Sequence, residues 1–278
     1  MKQKEMSEFI KNSFKNIKES FHKAITNFDA EDIRRFRREV RKLKVFLHLL
    51  SMESEDGLSY HTTKRMKKIY GYLGIIHDFQ LQLKKVNESA EKSSGNDLVN
   101  YLNMLERELG YWKELSKEFI DPDYNFFNDQ REIIAKLPNQ LTMESIKRFI
   151  HYTLYELQSM SGRQDEEALN NIRKCMEDIY YNLPFLKPYL VKQQSILFDE
   201  KELSECLFLF GDFHIKCTNT TLLQIIRTDD LDENERQFLK QMEIGWLREK
   251  KKIHLQLAAK MDAMHIGAGS LNELSLHE

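Results

Sequence analysis

Residues 33–50 read IRRFRREVRKLKVFLHLL, and this stretch decides the fold class. Its apolar residues recur at spacings of three and four, the period of one face of an α-helix. Asp29, with Asp32 three residues later, resembles an N-terminal cap. The stretch therefore predicts an amphipathic helix that packs on a core through one face and presents cations on another. That apolar face comprises Ile33, Phe36, Val40, Leu43, Leu47 and Leu50.

The rest of the chain has the same character. Its 278 residues include only 10 Gly and 4 Pro, with 41% hydrophobic and 31% charged residues, which argues against a many-stranded sandwich or propeller. Helical periodicity continues at about 60–86 and 98–119, and TMESIKRFI at 142–150 begins a second series of helices. In that series, PFLKP at 184–188 predicts an interruption. The predicted fold class is all-α.

An internal repeat appears when the chain is compared with itself at an offset of 136 residues. With the offset changed by one residue, GIIH at 74–77 is echoed by GDFH at 211–214, and LGYWKE at 109–114 by IGWLRE at 244–249. A period this long predicts two pseudo-symmetric four-helix bundles packed into one compact helical unit. Their predicted bounds are 1–138 and 139–266, followed by a frayed tail at 267–278. Leu169, Ile172, Met176, Ile179 and Leu183 repeat the apolar face of the 33–50 helix.

Overall charge and cysteine content exclude several classes of protein. The 42 Lys and Arg nearly cancel the 44 Asp and Glu, so a uniformly basic nucleic-acid coat is excluded and no sequence-specific nucleic acid is expected. Cys175, Cys206 and Cys217 form no CxxC pair, which disfavours a structural zinc site or a disulfide framework. Neither a signal peptide nor a stretch of roughly 20 apolar residues is evident. We expect a cytoplasmic protein with no membrane partner.

Cations concentrate between positions 34 and 44, where seven Lys or Arg stand against the single acid Glu39. Four of them step by three, four and three residues, which aligns them on one helix face; they are called here the basic stripe. Their mutual repulsion favours a polyanionic partner, although a solvated helix face is the alternative. The basic stripe consists of Arg34, Arg37, Arg41 and Lys44. Further candidates for polyanion binding are Arg38, Lys42, Lys11, Lys15, Lys18, Lys64 and Lys68.

These residues resemble the conserved histidine α-helical domain (CHAD) family. Its pattern is His-x-x-Arg-Val-x-x-Arg-Arg-Leu-Arg in one helix and Leu-Gly-x-x-Arg-Asp-x-Asp-Val in the next, each occurring again in the second half. RRFRREVRKLKVFL at 34–47 and LGIIHDFQLQL at 73–83 are similar to it. Arg34, Arg38 and His77 depart from the family's His, Val and Arg. The matching residues are Arg37, Arg41, Lys42, Leu43, Lys44, Leu73, Gly74 and Asp78.

The resemblance covers most of the chain and implies a fold and a function. The implied fold is two pseudo-symmetric four-helix bundles whose basic residues line a central cavity or groove. The implied function is binding of inorganic polyphosphate, without a catalytic group or a cofactor. At the positions equivalent to the basic stripe, the second copy of the repeat has only one cation, Arg173. We therefore predict a one-sided basic surface rather than a symmetric channel. The equivalent positions are Asn170, Arg173, Glu177 and Tyr180.

Two other functions stay open at this stage. One is a degenerate CHAD-like scaffold that binds a protein partner. The other is a metal-dependent phosphohydrolase centred on the adjacent His77 and Asp78, which would need further ligands such as His48, His61 or Asp97. His77 and its counterpart His214 fit better as motif histidines between helices. No HExxH, P-loop or GxSxG motif occurs, so the sequence predicts neither catalysis nor a bound metal.

Overall fold

A computed structural model of the chain describes residues 1–53, 60–91, 98–160, 162–190, 199–225 and 231–264. These residues form nine α-helices and no strand, so the predicted all-α fold is confirmed. Within the same ranges, no helix is both long enough and apolar enough to cross a bilayer. The tail predicted at 267–278 lies outside the described residues. The helices are α1 (Gln3–Asn27), α2 (Ala30–Ser51), α3 (Lys64–Ala90), α4 (Val99–Phe119), α5 (Phe127–Ala135), α6 (Met143–Ser159), α7 (Glu166–Leu190), α8 (Glu200–Ile225) and α9 (Glu233–Ala263).

Side-chain caps begin helices α2 and α9, and the cap of α2 is the one that the sequence predicts. The Asp29 carboxylate accepts hydrogen bonds from the backbone N–H groups of Glu31 and Asp32, at 2.9 and 3.1 Å, at the start of α2. Asp232 accepts one from the N–H of Glu235 at 2.8 Å at the start of α9. These bonds satisfy backbone donors that the first turn leaves without a partner.

Helix α7 runs through Pro184 and Pro188, so the interruption predicted at 184–188 is wrong. A proline inside a helix costs about 3 kcal/mol because it lacks an N–H and crowds the preceding turn. Leu183 and Leu186, on the same stretch, are completely buried or nearly so. Packing of that apolar face on the core offsets the local cost, since burying each such side chain contributes about 1.5–3 kcal/mol.

The helices pack in two consecutive series that meet through equivalent members. In the first series α1 packs on α2, α2 on α3, and α3 on α4; in the second, α6 packs on α7, α7 on α8, and α8 on α9. The series join where α2 contacts α7 and α3 contacts α8. Their buried side chains form one continuous core. A space bounded by these two contacts therefore has walls from α2, α3, α7 and α8.

An aromatic cluster and a buried hydrogen bond help to fix the junction of α2 with α7. The rings of Phe9, Phe46 and Phe185 lie with centroids 4.3 to 5.2 Å apart, within the range of favourable aromatic pairs. The buried side-chain amide of Asn182 donates a hydrogen bond to the carbonyl oxygen of Val45 at 3.2 Å. Because a buried amide without a partner is costly, this bond favours one register of α7 against α2.

Candidate functional site

A cleft of about 340 Å³ opens where the two series meet. Helices α2, α3, α7 and α8 all contribute to its walls, and we call it the arginine cleft. Five arginines line it against two carboxylates, which leaves an excess of positive charge. The charged and aromatic lining residues are Arg34, Arg37, Arg38, Arg41, Tyr70, His77, Asp78, Arg173, Glu177, Tyr181 and His214.

Arg41, Glu177 and Arg173 form a partly buried Arg–Glu–Arg triad in the cleft. Arg41 Nη1 donates to both carboxylate oxygens of Glu177, and Arg173 Nη1 donates to Glu177 Oε1 at 2.6 Å. Burial lowers the pKa of Arg173, with Glu177 opposing the shift. Burial also disfavours the charged form of Arg41, but Glu177 and Tyr70 outweigh it and raise the pKa. Both guanidiniums stay charged, because arginine is not deprotonated in proteins. The single carboxylate of Glu177 therefore neutralises only half of their charge.

Tyr70 lies among the cations of α2. Its hydroxyl accepts a hydrogen bond from Arg41 Nη2 at 2.9 Å, and Arg37 Cζ lies 4.9 Å from its ring centroid. Lys44 Nζ lies 4.3 Å from the same centroid, so two cations contact the negative face of the ring. Burial alone would raise the pKa of Tyr70, but the charges of Arg41 and Arg37 lower it. Contacts with Tyr70 thus hold Arg37, Arg41 and Lys44 in place and offset part of their mutual repulsion.

Gly74 gives Arg37 its place on the surface of α3. A Cβ atom at position 74 would lie 3.1 Å from Arg37 Cζ and Nη2, closer than ordinary van der Waals contact. Arg37 Nη1 lies 3.9 Å from Asp78 Oδ1, one helical turn further along α3. The Leu-Gly motif at 73–74 therefore has a packing function, because the missing side chain admits a guanidinium from α2.

Arg34 and Arg38 form the solvent-exposed rim of the cleft, with 64% and 48% of their side chains exposed. Arg34 Nε donates to Glu31 at 2.8 Å, and Arg38 Nε lies 3.7 Å from Glu39. Exposed ion pairs of this kind contribute about 0–1 kcal/mol. An incoming polyanion could therefore replace these carboxylates at low cost.

Two histidines face the cleft from α3 and α8. His77 Nδ1 is buried and, within the described residues, has no hydrogen-bond partner; its distance to Asp78 Oδ1 is 3.6 Å, too long for one. Partial desolvation and the positive charge of Arg173 lower the pKa of His214, although Asp78 opposes the shift. Arg173 Nε is likewise buried without a partner in the described part of the chain. Lining residues on both sides of the cleft thus have unused hydrogen-bonding capacity.

The predicted basic surface divides into two groups in the structure. The arginines of α2 converge with Arg173 on the cleft, whereas the lysines do not line it. Lys42 donates to Glu39 at 2.9 Å, and Lys44 lines a separate pocket with His48 and Lys67. Lys11, Lys15, Lys18, Lys64 and Lys68 are exposed on α1 and on the first turns of α3.

Sequence reasoning missed Tyr70 and Tyr181 as lining residues of the cleft. A signal for Tyr70 was available, because it precedes Gly74 by four residues and His77 by seven and so shares their helix face. For Tyr181 no local signal exists, since its place depends on how α7 meets α2.

The metal-site hypothesis for His77 and Asp78 requires at least one further ligand. Across the described ranges, no three His, Cys, Asp or Glu side chains are grouped as a metal site requires. His48 Nδ1 pairs with Asp178 Oδ2 at 2.8 Å, and Asp97 lies outside the described residues. The described part of the chain therefore supplies no ligand set for the phosphohydrolase hypothesis.

Comparison with known proteins identifies a shared fold. Neither a protein-family model nor a curated protein matches the sequence. Among solved structures, the crystal structure of the CHAD domain from the plant Ricinus communis superposes with a TM-score of 0.70 at 15% sequence identity. The similarity covers 95% of this chain and 91% of that chain. The CHAD fold that the motif resemblance implies is therefore confirmed, and its division into two pseudo-symmetric bundles stays a prediction.

Proposed function

Because this chain has the fold of the CHAD domain, we propose that it binds inorganic polyphosphate or a similar polyanion in the arginine cleft, without catalysis. The observation that carries the proposal is the convergence of five arginines from both series on one cleft with two carboxylates. A flexible chain with about one negative charge per phosphate suits repeated guanidinium donors, which bind phosphate oxygens in pairs. Release of counterions adds to the affinity.

We further propose that the two series arose by duplication and are related by a pseudo-two-fold axis. In support, Arg41 and Glu177 stand 136 residues apart, the offset of the sequence repeat, and contact each other directly. Residues at equivalent positions meet in this way only near a two-fold axis. Superposition of residues 5–137 on residues 142–266, with the helices in the same order, would support this relation.

Titration with long-chain polyphosphate tests the proposed function. We expect binding at about 50 mM salt and much weaker binding at about 200 mM, with the logarithm of affinity falling by roughly 0.7 per contacted phosphate for each unit of log salt. The polymer should be recovered at its original length, because the proposal is binding without catalysis and the described residues contain no grouped metal ligands. Absence of binding at low salt, or binding insensitive to salt, would contradict the proposal.

A protein-binding scaffold is the second candidate, favoured by an exposed aromatic group on α3 and α4. Tyr72 and Phe119 stack with centroids 5.8 Å apart, and Trp112 lies 6.2 Å from Tyr72. Phe119 and Tyr111 are each 59% exposed. Exposed aromatic side chains are enriched at protein interfaces. If polyphosphate does not bind, this surface becomes the better account of function.

Gly74→Ala is expected to weaken polyphosphate binding, whereas Gly71→Ala is not. Both changes add a helix-favouring methyl group to α3, worth about 0.4–1 kcal/mol of stability. A Cβ at position 71 would have nothing within 4 Å, but at position 74 it would push the Arg37 guanidinium away by a few tenths of an ångström. We expect up to about tenfold loss of affinity for Gly74→Ala, roughly one charge-assisted contact.

Thermal melts and titrations of the two glycine variants provide the measurement. Gly71→Ala is the matched control and should raise the melting temperature with unchanged binding. Equal affinities of the two variants would show that the position of Arg37 over Gly74 does not matter for the polyanion.

Polyphosphate affinity is expected to rise as pH falls from about 7.5 to about 5.5, through His214. Desolvation and the surrounding arginines depress the folded-state pKa of His214 below its ordinary 6.5. As pH falls, the unfolded chain therefore binds this proton first, and the free protein loses stability below about pH 6.5. Bound phosphates favour the imidazolium, so binding takes up a proton and strengthens.

Titrations at several pH values, with His214→Gln and the exposed His151→Gln as control, measure this linkage. The His214 variant should lose most of the pH dependence and the His151 variant should keep it. An unchanged pH profile in His214→Gln would assign the effect to another group.

A further inference from the structure

A second cavity adjoins the arginine cleft. It is a groove of about 400 Å³ between α7 and α8, called here the α7/α8 groove. Arg173, His214 and Thr218 line both spaces, so the groove continues the cleft along α7 and α8. A ligand held by the arginines could therefore extend into the groove without leaving the protein surface.

The lining of the α7/α8 groove differs from that of the cleft. Leu169, Phe210 and Phe213 form the buried apolar floor of the groove, and the partly exposed Leu222 belongs to its wall. Most of the accessible lining surface is apolar, although seven polar or charged residues also line the groove, among them Asn170, Thr218 and Thr221. A mostly apolar concave surface with a few placed hydrogen-bonding groups is typical of sites for small organic ligands.

The charges at the two ends are opposite in sign. Glu166 and Glu167 line the groove, whereas arginines line the cleft. Lys250 binds Glu166 and keeps it ionised, since this bond lowers the pKa of the carboxyl although burial opposes the shift. Carboxylates repel phosphates but accept hydrogen bonds from amino groups. A ligand with a phosphate chain and an uncharged end would therefore bind in one orientation only.

We propose that the cleft and the groove together bind a nucleoside polyphosphate whose base has an exocyclic amino group. The inference rests on the proposed function, because the phosphates would occupy the arginine cleft. The base would lie against Phe213 and its apolar neighbours, with its amino group towards Glu167. A plain hydrocarbon chain fits less well, since it would offer no hydrogen bond to the Glu167 carboxylate or to the threonine hydroxyls at the groove.

Calorimetric titration with ATP, inosine triphosphate and inorganic tripolyphosphate tests the inference. Charge alone favours tripolyphosphate, whereas a bound base adds about 1–3 kcal/mol and so at least about fivefold in affinity. We expect ATP to bind tightest. Inosine triphosphate, which lacks the amino group, should bind less tightly than ATP. Binding of ATP no tighter than tripolyphosphate would overturn the inference, and equal binding of ATP and inosine triphosphate would overturn the role of the amino group.

Thr221→Trp is designed to fill the groove from an exposed position. It should lower ATP affinity to the level of tripolyphosphate or below it and leave tripolyphosphate binding unchanged. Phe208→Trp, 69% exposed on the same helix and outside the groove, is the control and should change neither. Unchanged ATP binding in Thr221→Trp would overturn the inference. Absence of tripolyphosphate and polyphosphate binding in the parent protein would instead overturn the proposed function.

Discussion

Replacing Glu177 with Gln is expected to destabilise the free protein and to increase its affinity for polyphosphate. Glu177 accepts hydrogen bonds from both Arg41 and Arg173, so its loss leaves two guanidiniums facing each other with no carboxylate between them. Breaking a fully buried charge cluster costs about 3–5 kcal/mol, and these side chains, 12 to 29% exposed, justify a smaller cost of about 1–3 kcal/mol.

The same change removes a competitor of the ligand. The Glu177 carboxylate occupies the donors of Arg41 and Arg173 that a phosphate would use. Once it is neutral, a bound phosphate supplies the missing negative charge, and we expect about tenfold tighter binding, or about 1.4 kcal/mol. Because a ligand specific for the native state stabilises it, polyphosphate should raise the melting temperature of Glu177→Gln more than that of the parent.

Melting curves with and without polyphosphate measure both effects at once. Glu132→Gln is the matched control, because Glu132 pairs with Lys136 on the exposed surface of α5. It should alter neither stability nor affinity by a large amount. Weaker binding by Glu177→Gln would show that Glu177 positions the two arginines for the ligand instead of competing with it.

The helices could be predicted from the sequence because their signals are local. Apolar spacing and the caps at Asp29 and Asp232 fall within one or two turns of the residues they organise. The predicted helix interruption at 184–188 was wrong because a tertiary effect outweighed a local signal. Proline is a local signal against helix, but burial of Leu183 and Leu186 against the core is a tertiary effect that the local sequence does not contain.

The site could be predicted only in part, for the same reason. Spacing on α2 aligned Arg34, Arg37 and Arg41 correctly, and all three line the cleft. Residue spacing within one helix does not show which faces of distant helices meet. The sequence therefore grouped the exposed lysines of α1 with the α2 arginines, although these lysines do not line the cleft. Glu177 illustrates the limit. In the sequence repeat it stands where the first copy has the cation Arg41, whereas in the structure its carboxylate is the hydrogen-bond partner of Arg41.

Reversing the two rim arginines together, Arg34→Glu with Arg38→Glu, is expected to reduce polyphosphate affinity about a hundredfold. Each charge-assisted contact contributes about 1.5 kcal/mol, and each 1.4 kcal/mol is a factor of ten. The rim is a safer place for the test than the triad, because Arg41→Glu would put a second carboxylate beside Glu177. Arg34 and Arg38 are largely exposed, so the variant should keep the helicity and melting temperature of the parent.

The salt dependence of polyphosphate affinity distinguishes the loss of specific phosphate contacts from a general effect of the protein's charge. Two lost phosphate contacts should make the slope of log affinity against log salt shallower by about 1.4. Lys15→Glu with Lys18→Glu makes the same charge change on exposed α1 residues outside the cleft and should leave that slope unchanged. Four of the five cleft arginines belong to α2, so Arg173→Gln should cost less than the rim reversal. Equal slopes for the rim and α1 variants would mean that polyphosphate responds to the overall charge, and the arginine cleft would then not be its binding site.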